Sequence, residues 1–200
     1  MVMEINQTLQ VLAKYNMNPV GTYNGASYSY GTNLGGWPAS AMYKFVNGTD
    51  DTLYSAYITD SSNKTSVKSI YMSLPEDLRN VIVDTTVISG HGNGDKSNFT
   101  STDKLYLIAV KEIYGTSFTD QYSTAKGSKR QLDYYLNLKV TTSSYSATIK
   151  QYNGSNLEWW LRSADSSDVY RFYYVSSTGA WKHNIASNTP YGVSAAFRIG

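Results

Sequence analysis

The residues able to carry acid, base or metal chemistry are few and fall mainly into two short segments. The protein has two histidines, His91 and His183, so histidine-based catalysis or metal binding has to use one of them. His91 lies in the glycine-punctuated segment 89–95, where Asn93 and Asp95 offer the hard oxygen ligands that Ca²⁺ prefers. The spacing of an EF-hand is absent. We therefore expect an ordinary loop, with a cation site as the alternative.

The second segment carries two aspartates ahead of the other histidine. Asp165 and Asp168 lie close together among serines, whereas a glycoside hydrolase needs two carboxylates that face each other across a cleft. Aspartates in one loop more often accept hydrogen bonds from nearby backbone N–H groups and so cap turns. No G-x-S-x-G motif supplies a nucleophile for His183. We expect a protein that is not an enzyme, without cofactor or metal, and with His183 as a surface contact residue.

Composition argues against further classes of protein. Seventeen basic and fifteen acidic residues give a net charge of +2 without a basic run, which argues against a nucleic-acid partner. The segment 90–94 lacks the Lys-Ser/Thr of a phosphate-binding loop. No stretch approaches the roughly 18 apolar residues of a membrane helix, and residues 1–16 do not form a signal-peptide pattern. The absence of cysteine excludes disulfides and thiolate chemistry.

The chain has few charged residues and many aromatic and small polar ones. Only 16% of the residues are charged, against about 25% in an ordinary soluble domain. The chain holds nineteen Tyr, four Trp and five Phe, and its polar remainder is mostly Ser, Thr, Asn and Gly. Antibody contact surfaces use the same residue types, because Tyr offers contact area at low entropy cost while Ser, Gly and Asn adapt.

The elements that must position these residues are short. The periodicity and capping signals predict helices over 4–15, 39–46, 75–80 and 130–138, the third with Ser73 and Glu76 at capping-box spacing, and an exposed loop over 21–36. The β-branched and aromatic runs predict strands over 81–83, 85–88, 104–110, 139–142, 157–161, 169–175, 180–185 and 192–199. Because the runs 169–175 and 180–185 flank a turn that contains Gly179, they predict a hairpin.

Alternation along this hairpin predicts one aromatic face turned outward. Tyr170 and Tyr174 share one face of the first strand, while Arg171 and Tyr173 share the other. If one face is core, the other exposes Tyr or Arg beside Trp181, which are residue types enriched at binding hot spots. The alternative is that these aromatics only fill a β core, because aromatic cross-strand pairs stabilise sheets without any ligand.

An ordered set of motifs makes the chain resemble a domain family of gut bacteria and their phages. The motifs are Trp159-Trp160-Leu161-Arg162-Ser163, Phe172, Val175, Gly179 and the run Gly192 to Ile199, with Gly36-Trp37, Ser40, Leu74-Pro75, Asp103 to Leu107 and Glu112 to Gly115 upstream. This family resembles the C-type-lectin-like variable proteins of diversity-generating retroelements. A related branch, the formylglycine-generating enzymes, uses cysteines or copper, so its activity does not carry over to a chain without cysteine.

The resemblance implies an α+β, C-type-lectin-like fold, in which small antiparallel sheets are flanked by helices and the C-terminal hairpin and loops form the display surface. It implies a ligand-binding domain over 36–200, with 1–35 as a helix and a Tyr/Gly/Ser-rich packing or attachment segment. In such proteins the C-terminal segment is the diversified one, and residues 165–194 have that make-up. Trp159, Leu161 and Phe197 would then belong to the invariable frame.

Taken together, the residues and the resemblance predict a recognition or adhesion domain that binds a protein or glycan on a cell surface without entering a membrane. The expected location is a phage virion or a bacterial surface. The alternative is a virion decoration or assembly module whose aromatic face is a subunit interface in a homo-oligomer. The predicted ligand-binding residues are Asp165, Asp168, Tyr170, Arg171, Tyr173, Ser176, Trp181, His183, Asn184, Asn188 and Tyr191.

Overall fold

A computed structural model of the 200-residue chain describes residues 32–50, 68–119, 130–151, 154–185 and 191–200, and outside these ranges the backbone of a few short strands. Fifteen strands are seen: β1 Val2–Glu4, β2 Tyr15–Asn16, β3 Tyr54–Ile58, β4 Lys64–Val67, β5 Ile82–Val83, β6 Thr85–Ser89, β7 Phe99–Asp103, β8 Tyr106–Leu107, β9 Lys150–Tyr152, β10 Ser155–Leu157, β11 Trp159–Ala164, β12 Arg171–Val175, β13 Trp181–Ile185, β14 Gly192–Val193 and β15 Ala195–Ile199. The α-helices are Gly36–Ala39, Ala41–Asn47, Ile70–Ser73, Glu76–Val81, Val110–Tyr114 and Asp133–Asn137. The protein is therefore a mixed α+β domain with small, mainly antiparallel sheets and short helices.

A four-stranded sheet near the C-terminus contains the predicted hairpin. Its strand order is β13-β12-β11-β14, with β14 parallel to β11 and the other neighbours antiparallel. The predicted hairpin is confirmed as β12 and β13. Gly179 adopts φ +90° in the connecting turn and donates its N–H to the Ser176 carbonyl at 2.8 Å. A side chain at this glycine would meet the Tyr145 carbonyl oxygen at 2.4 Å, so both the backbone conformation and the space require glycine.

A second sheet joins the two ends of the chain. Strand β15 pairs with β1, β5 and β8, all antiparallel. The remaining sheets are β2-β3-β4 and the pairs β6-β7 and β9-β10. Strand β1 lies in the segment 1–35, for which we predict a packing or attachment role. This segment therefore contributes one strand to the sheet that contains β15, the last strand of the chain.

The helix predictions hold where local signals are strong. The predicted helices over 39–46, 75–80 and 130–138 are confirmed as Ala41–Asn47, Glu76–Val81 and Asp133–Asn137. The capping box predicted for the helix Glu76–Val81 is wrong. Ser73 is the last residue of the preceding helix, Ile70–Ser73, and its hydroxyl donates to the Ser69 carbonyl at 2.8 Å. Most of the predicted helix over 4–15 and of the predicted loop over 21–36 lies outside the described residues, and Glu4 and Tyr15 belong to strands.

Two predicted strands are wrong in whole or in part. Of the run 104–110 only Tyr106 and Leu107 form a strand, and a helix begins at Val110. The side chain of Glu112 accepts the Ala109 N–H at 2.7 Å and so satisfies a backbone group at the start of that helix. Residues 139–142 form no strand; Lys139 has φ 54° at the end of the helix Asp133–Asn137.

The core brings the predicted frame residues together with the first helices. Trp159, Leu161 and Phe197 are all buried, as is Trp37, whose indole N–H donates to an Asp103 carboxylate oxygen at 2.9 Å. Burial raises the pKa of the Asp103 carboxyl, while the hydrogen bond from Trp37 lowers it in part. None of the helices among the described residues is long and apolar enough to cross a membrane.

Candidate functional site

The loop between β11 and β12, residues 165–170, is shaped by its own aspartates. Asp165 Oδ1 accepts the backbone N–H of Ser167 at 3.0 Å and the hydroxyl of the same residue at 2.8 Å. Asp168 Oδ1 accepts the backbone N–H of Tyr170. Both are turns in which an aspartate bonds the backbone two residues further on. The prediction that these carboxylates cap turns is therefore confirmed for both.

A buried asparagine from far away in the sequence fixes the same loop. The Asn33 side-chain nitrogen lies 3.2, 2.9 and 2.9 Å from the carbonyl oxygens of Asp165, Asp168 and Arg171. The Asn33 backbone N–H donates to the Val169 carbonyl at 2.8 Å. Asn33 thus contacts the carbonyls of three loop residues and of Arg171 at the start of β12, and its own side chain is fully buried.

The glycine-rich loop around His91 supports this arrangement from the other side. The Asn93 backbone N–H donates to the Asp168 carbonyl at 3.2 Å. A side chain at Gly92 would lie 2.2 Å from Asn33 Oδ1, so this close approach requires glycine. Asp95 Oδ2 accepts the Gly35 N–H at 3.0 Å. Among the described residues there is no cluster of three or more His, Asp or Glu side chains that could hold a metal ion.

The second oxygen of Asp165 contacts His183. The pair joins Asp165 Oδ2 to His183 Nδ1 across the sheet, and the aspartate is buried while the imidazole side chain is 40% exposed. The Tyr173 ring stacks on the imidazole at a centroid distance of 5.9 Å, and its hydroxyl lies 3.4 Å from Asp165 Oδ1. One side of the histidine is thus held by an acid and a ring, and the rest faces solvent.

The pKa of Asp165 follows from these contacts. Burial alone would raise the pKa of this carboxyl, but the hydrogen bonds from Ser167 and the neighbouring His183 outweigh burial and lower it below its ordinary value. The carboxylate is therefore ionised at neutral pH and available to orient the imidazole. Sequence spacing alone could not find this pair, because residues 165 and 183 meet only through the hairpin register.

The expected outward orientation of two tyrosines is wrong. Tyr173 is 3% exposed and Tyr191 is 8% exposed. On one face of the sheet Phe118 packs edge-on against both Tyr173 and Trp181, with centroids 5.3 and 5.0 Å apart. On the other face Tyr191 covers Trp160 and Tyr174, at 4.8 and 4.3 Å. Residues on both faces of β12 are therefore buried.

The remaining predicted site residues divide between the two ends of the hairpin. Ser176 is buried in the turn, 3.0 Å from the Thr178 hydroxyl, and lies at the far end of β12 from the aspartate loop. Trp181 is partly buried against the core near that end. Asn184 is partly buried and its side-chain nitrogen donates to the Tyr191 hydroxyl at 3.0 Å. Asn188 lies outside the described residues.

Four predicted residues meet at the other end of the hairpin with their side chains at least partly in solvent. Tyr170 is 45% exposed. The Arg171 side chain is 40% exposed, and its Nε lies 3.6 Å from Asp168 Oδ2. His183 is a diagonal neighbour of Arg171 across β12 and β13, because Tyr173 pairs with His183 and Arg171 pairs with Ile185. We call Asp168, Tyr170, Arg171 and His183 the loop-end surface.

A buried ion pair fixes the sheet to the rest of the core. Both terminal nitrogens of Arg162 bond the Glu112 carboxylate, at 2.6 and 2.9 Å. The same guanidinium donates to the Leu107 and Ile88 carbonyls. A bidentate arginine–carboxylate pair with further hydrogen bonds fixes the geometry of both partners.

The fold and the site together define a small α+β domain in which polar side chains hold a loop in place at one end of a hairpin. The chain belongs to the DUF6273 family, described as a domain of unknown function, whose model matches residues 7–200. Neither the curated proteins nor the solved structures contain a match to this chain.

Proposed function

We propose that this domain is a non-enzymatic recognition module of C-type-lectin-like type, displayed on a phage virion or bacterial surface, and that its loop-end surface binds a glycan. The observation that carries the proposal is the contrast between backbone and side chains in one loop. The backbone carbonyls of Asp165, Asp168, Val169 and Arg171 are held by buried Asn33, while Tyr170 and Arg171 keep exposed side chains.

A loop fixed in this way favours binding, because its ordering is completed on folding and does not have to be completed again with the ligand. Tyr and Arg are among the residue types that dominate binding energy in interfaces. Two features support binding over hydrolysis: both aspartates accept hydrogen bonds within turns, and Asp165 is buried.

The chemistry and size of the surface favour a glycan over a protein. The loop-end surface carries an exposed aromatic ring together with a carboxylate, a guanidinium and an imidazole, which can hydrogen-bond sugar hydroxyls. A stable protein interface needs roughly 20 to 30 residues a side, and the loop-end surface offers four. The buried Tyr173 and Tyr191 add nothing to this area.

The test is a glycan array probed with the whole chain and with the double variant Tyr170→Ala/Arg171→Ala. We expect the wild type to bind a defined subset of glycans and the double variant to lose at least about tenfold in affinity, the size of effect that hot-spot truncation produces. The melting temperature should stay unchanged, because both side chains are partly in solvent.

The matched control is Tyr134→Ala, which removes a tyrosine that is 62% exposed on the helix Asp133–Asn137. It should bind as the wild type does. A wild type that binds no glycan, or a double variant that binds as well as the wild type, contradicts the proposal; binding to a surface protein instead would assign the site to a protein partner.

A further inference from the structure

A second site lies away from the loop-end surface, in an open cleft of about 290 Å³. One wall is the strand segment 85–88, and the floor is formed by Tyr106 with the Arg162–Glu112 pair. Arg130 and Arg198 complete the lining. This volume is at the lower limit of the usual range for small-molecule pockets, so it suits a small ligand.

The charge of the cleft is determined by which arginines are already neutralised. Arg162 bonds the Glu112 carboxylate and the carbonyls of Ile88 and Leu107, which accounts for all five of its N–H donors. Arg130 forms an exposed ion pair with Asp133. Neither cation leaves an uncompensated charge in the cleft.

Arg198 differs from these two. Within the described part of the chain, no carboxylate oxygen lies within ion-pair distance of its guanidinium. Arg198 lies near Tyr106 because Tyr106 is opposite Ala196, two residues along β15, and the positive charge of Arg198 lowers the pKa of the Tyr106 hydroxyl in part. Burial, followed by the charge of Glu112, raises the pKa of the Tyr106 hydroxyl, which therefore keeps its proton at neutral pH and can donate a hydrogen bond.

The wall formed by the strand segment 85–88 is partly apolar. Ile88 is 40% exposed and Val87 is buried, and both line the cleft with the Tyr106 ring. Thr86 adds an exposed hydroxyl beside them. A ligand that fits both walls carries one negative charge at one end and an apolar body at the other.

We infer that this cleft binds a small monocarboxylate with an apolar body, held through its carboxylate by the Arg198 guanidinium and the Tyr106 hydroxyl, with the body against Ile88. Among the described residues, Arg198 is the arginine of the cleft that lacks a carboxylate partner, and one such cation matches one negative charge, which favours a carboxylate over a phosphate dianion. The bidentate fork of arginine fits carboxylate geometry. The site is separate from the loop-end surface and does not depend on its function.

The test is an NMR titration of the whole chain with benzoate at low ionic strength. We expect saturable shifts of the Thr86 and Ile88 signals, weakened by added salt because the contact is partly exposed. Benzyl alcohol, which has the same ring without the charge, should bind at least about tenfold more weakly, as expected for loss of a charged hydrogen bond. Phenyl phosphate distinguishes the two oxyanions and should bind no better than benzoate.

Two variants locate the site. Arg198→Gln removes the cation, and Ile88→Glu places a carboxylate on an exposed strand position facing the cleft; each should weaken benzoate at least about tenfold. Lys182→Gln, at an exposed cation on β13, should leave binding unchanged. Ile88→Glu keeps the test decisive if Arg198→Gln fails to fold. Absence of saturation with benzoate, equal binding of benzyl alcohol, tighter binding of phenyl phosphate, or wild-type affinity in a folded cleft variant would overturn the inference.

Discussion

At the residue scale, Asp165 and Tyr173 hold the imidazole of His183 in place. Asp165 is buried, holds the Ser167 turn with one oxygen and contacts His183 with the other. Tyr173 packs under the imidazole. The aspartate therefore determines where the half-exposed histidine points, and a polar residue that resembles a catalytic acid in the sequence serves to shape a surface.

This role gives Asp165 a defined effect on stability. Because the pKa of its carboxyl is lower in the folded protein than in the unfolded chain, its contribution is fully present above the ordinary aspartate value, about 3.9, and is lost as the pH falls through the lower folded value. We expect Asp165→Asn to cost about 2 kcal/mol of unfolding free energy at pH 7, the size of a lost charged hydrogen bond. Urea unfolding across the acid range measures it.

The difference between wild type and Asp165→Asn should shrink as the pH falls below about 4, because the wild-type carboxyl is then increasingly protonated. Asp77→Asn, at an exposed carboxylate, is the control and should differ little from wild type. A gap between wild type and Asp165→Asn that stays constant down to low pH would contradict the assigned role.

At the scale of elements, the loop 165–170 depends on Asn33 as well as on its own aspartates. The three carbonyls that the Asn33 amide contacts lie 132 to 138 residues away along the chain. Each of these carbonyls also accepts a backbone N–H, from Asp168, Asn93 and Asp165 respectively, so loss of the amide costs the additional hydrogen bonds and leaves a gap beside the loop. One distant side chain thus contacts both the loop and Arg171, the first residue of β12.

Asn33→Ala should therefore release the loop while leaving the sheet in place. We expect a loss of about 2 to 3 kcal/mol in unfolding free energy and faster amide hydrogen exchange at residues 165–171. Asn156→Ala, at an exposed position of β10, is the control and should change neither quantity. Unchanged exchange in the loop of the Asn33 variant would show that the loop is held by something else.

The hairpin shows where sequence reasoning succeeds and where it fails. Its two strands and glycine turn are predictable, because alternation and turn chemistry are local. The burial of both faces of β12 is not, because the covering residues Phe118 and Tyr191 lie outside the hairpin. The same limit applies to Asn33, and no pattern within a single sequence connects it to the loop that it holds.

Burial of Tyr191 leads to a stability prediction opposite to that for an exposed contact residue. Its ring packs on Trp160 and Tyr174, and its hydroxyl accepts a hydrogen bond from Asn184. Tyr191→Ala should cost about 3 to 5 kcal/mol, as for other buried aromatics, in urea unfolding. Tyr134→Ala, at an exposed tyrosine, should stay within about 0.5 kcal/mol of wild type. A Tyr191→Ala variant as stable as the wild type would show that this ring is not part of the core.

At the scale of the whole molecule, the Trp-Trp-Leu-Arg-Ser motif stabilises the core, whereas the loop-end surface is the part that we assign to binding. Arg162 of the Trp-Trp-Leu-Arg-Ser motif connects β11 to Glu112 and to the carbonyls of Ile88 and Leu107. The motif was the strongest sequence signal of fold, and it lies in the core. The exposed residues that we assign to binding carry no motif at all, so only their placement by this frame indicates them.

The most direct measurement is hydrogen exchange of the whole chain with and without a glycan that the wild type binds on the array. We expect added protection at residues 165–171 and 181–185, with the helix Asp133–Asn137 unchanged. Protection confined to that helix or to another part of the chain, with the loop and β13 unaffected, would contradict the assignment of recognition to the loop-end surface.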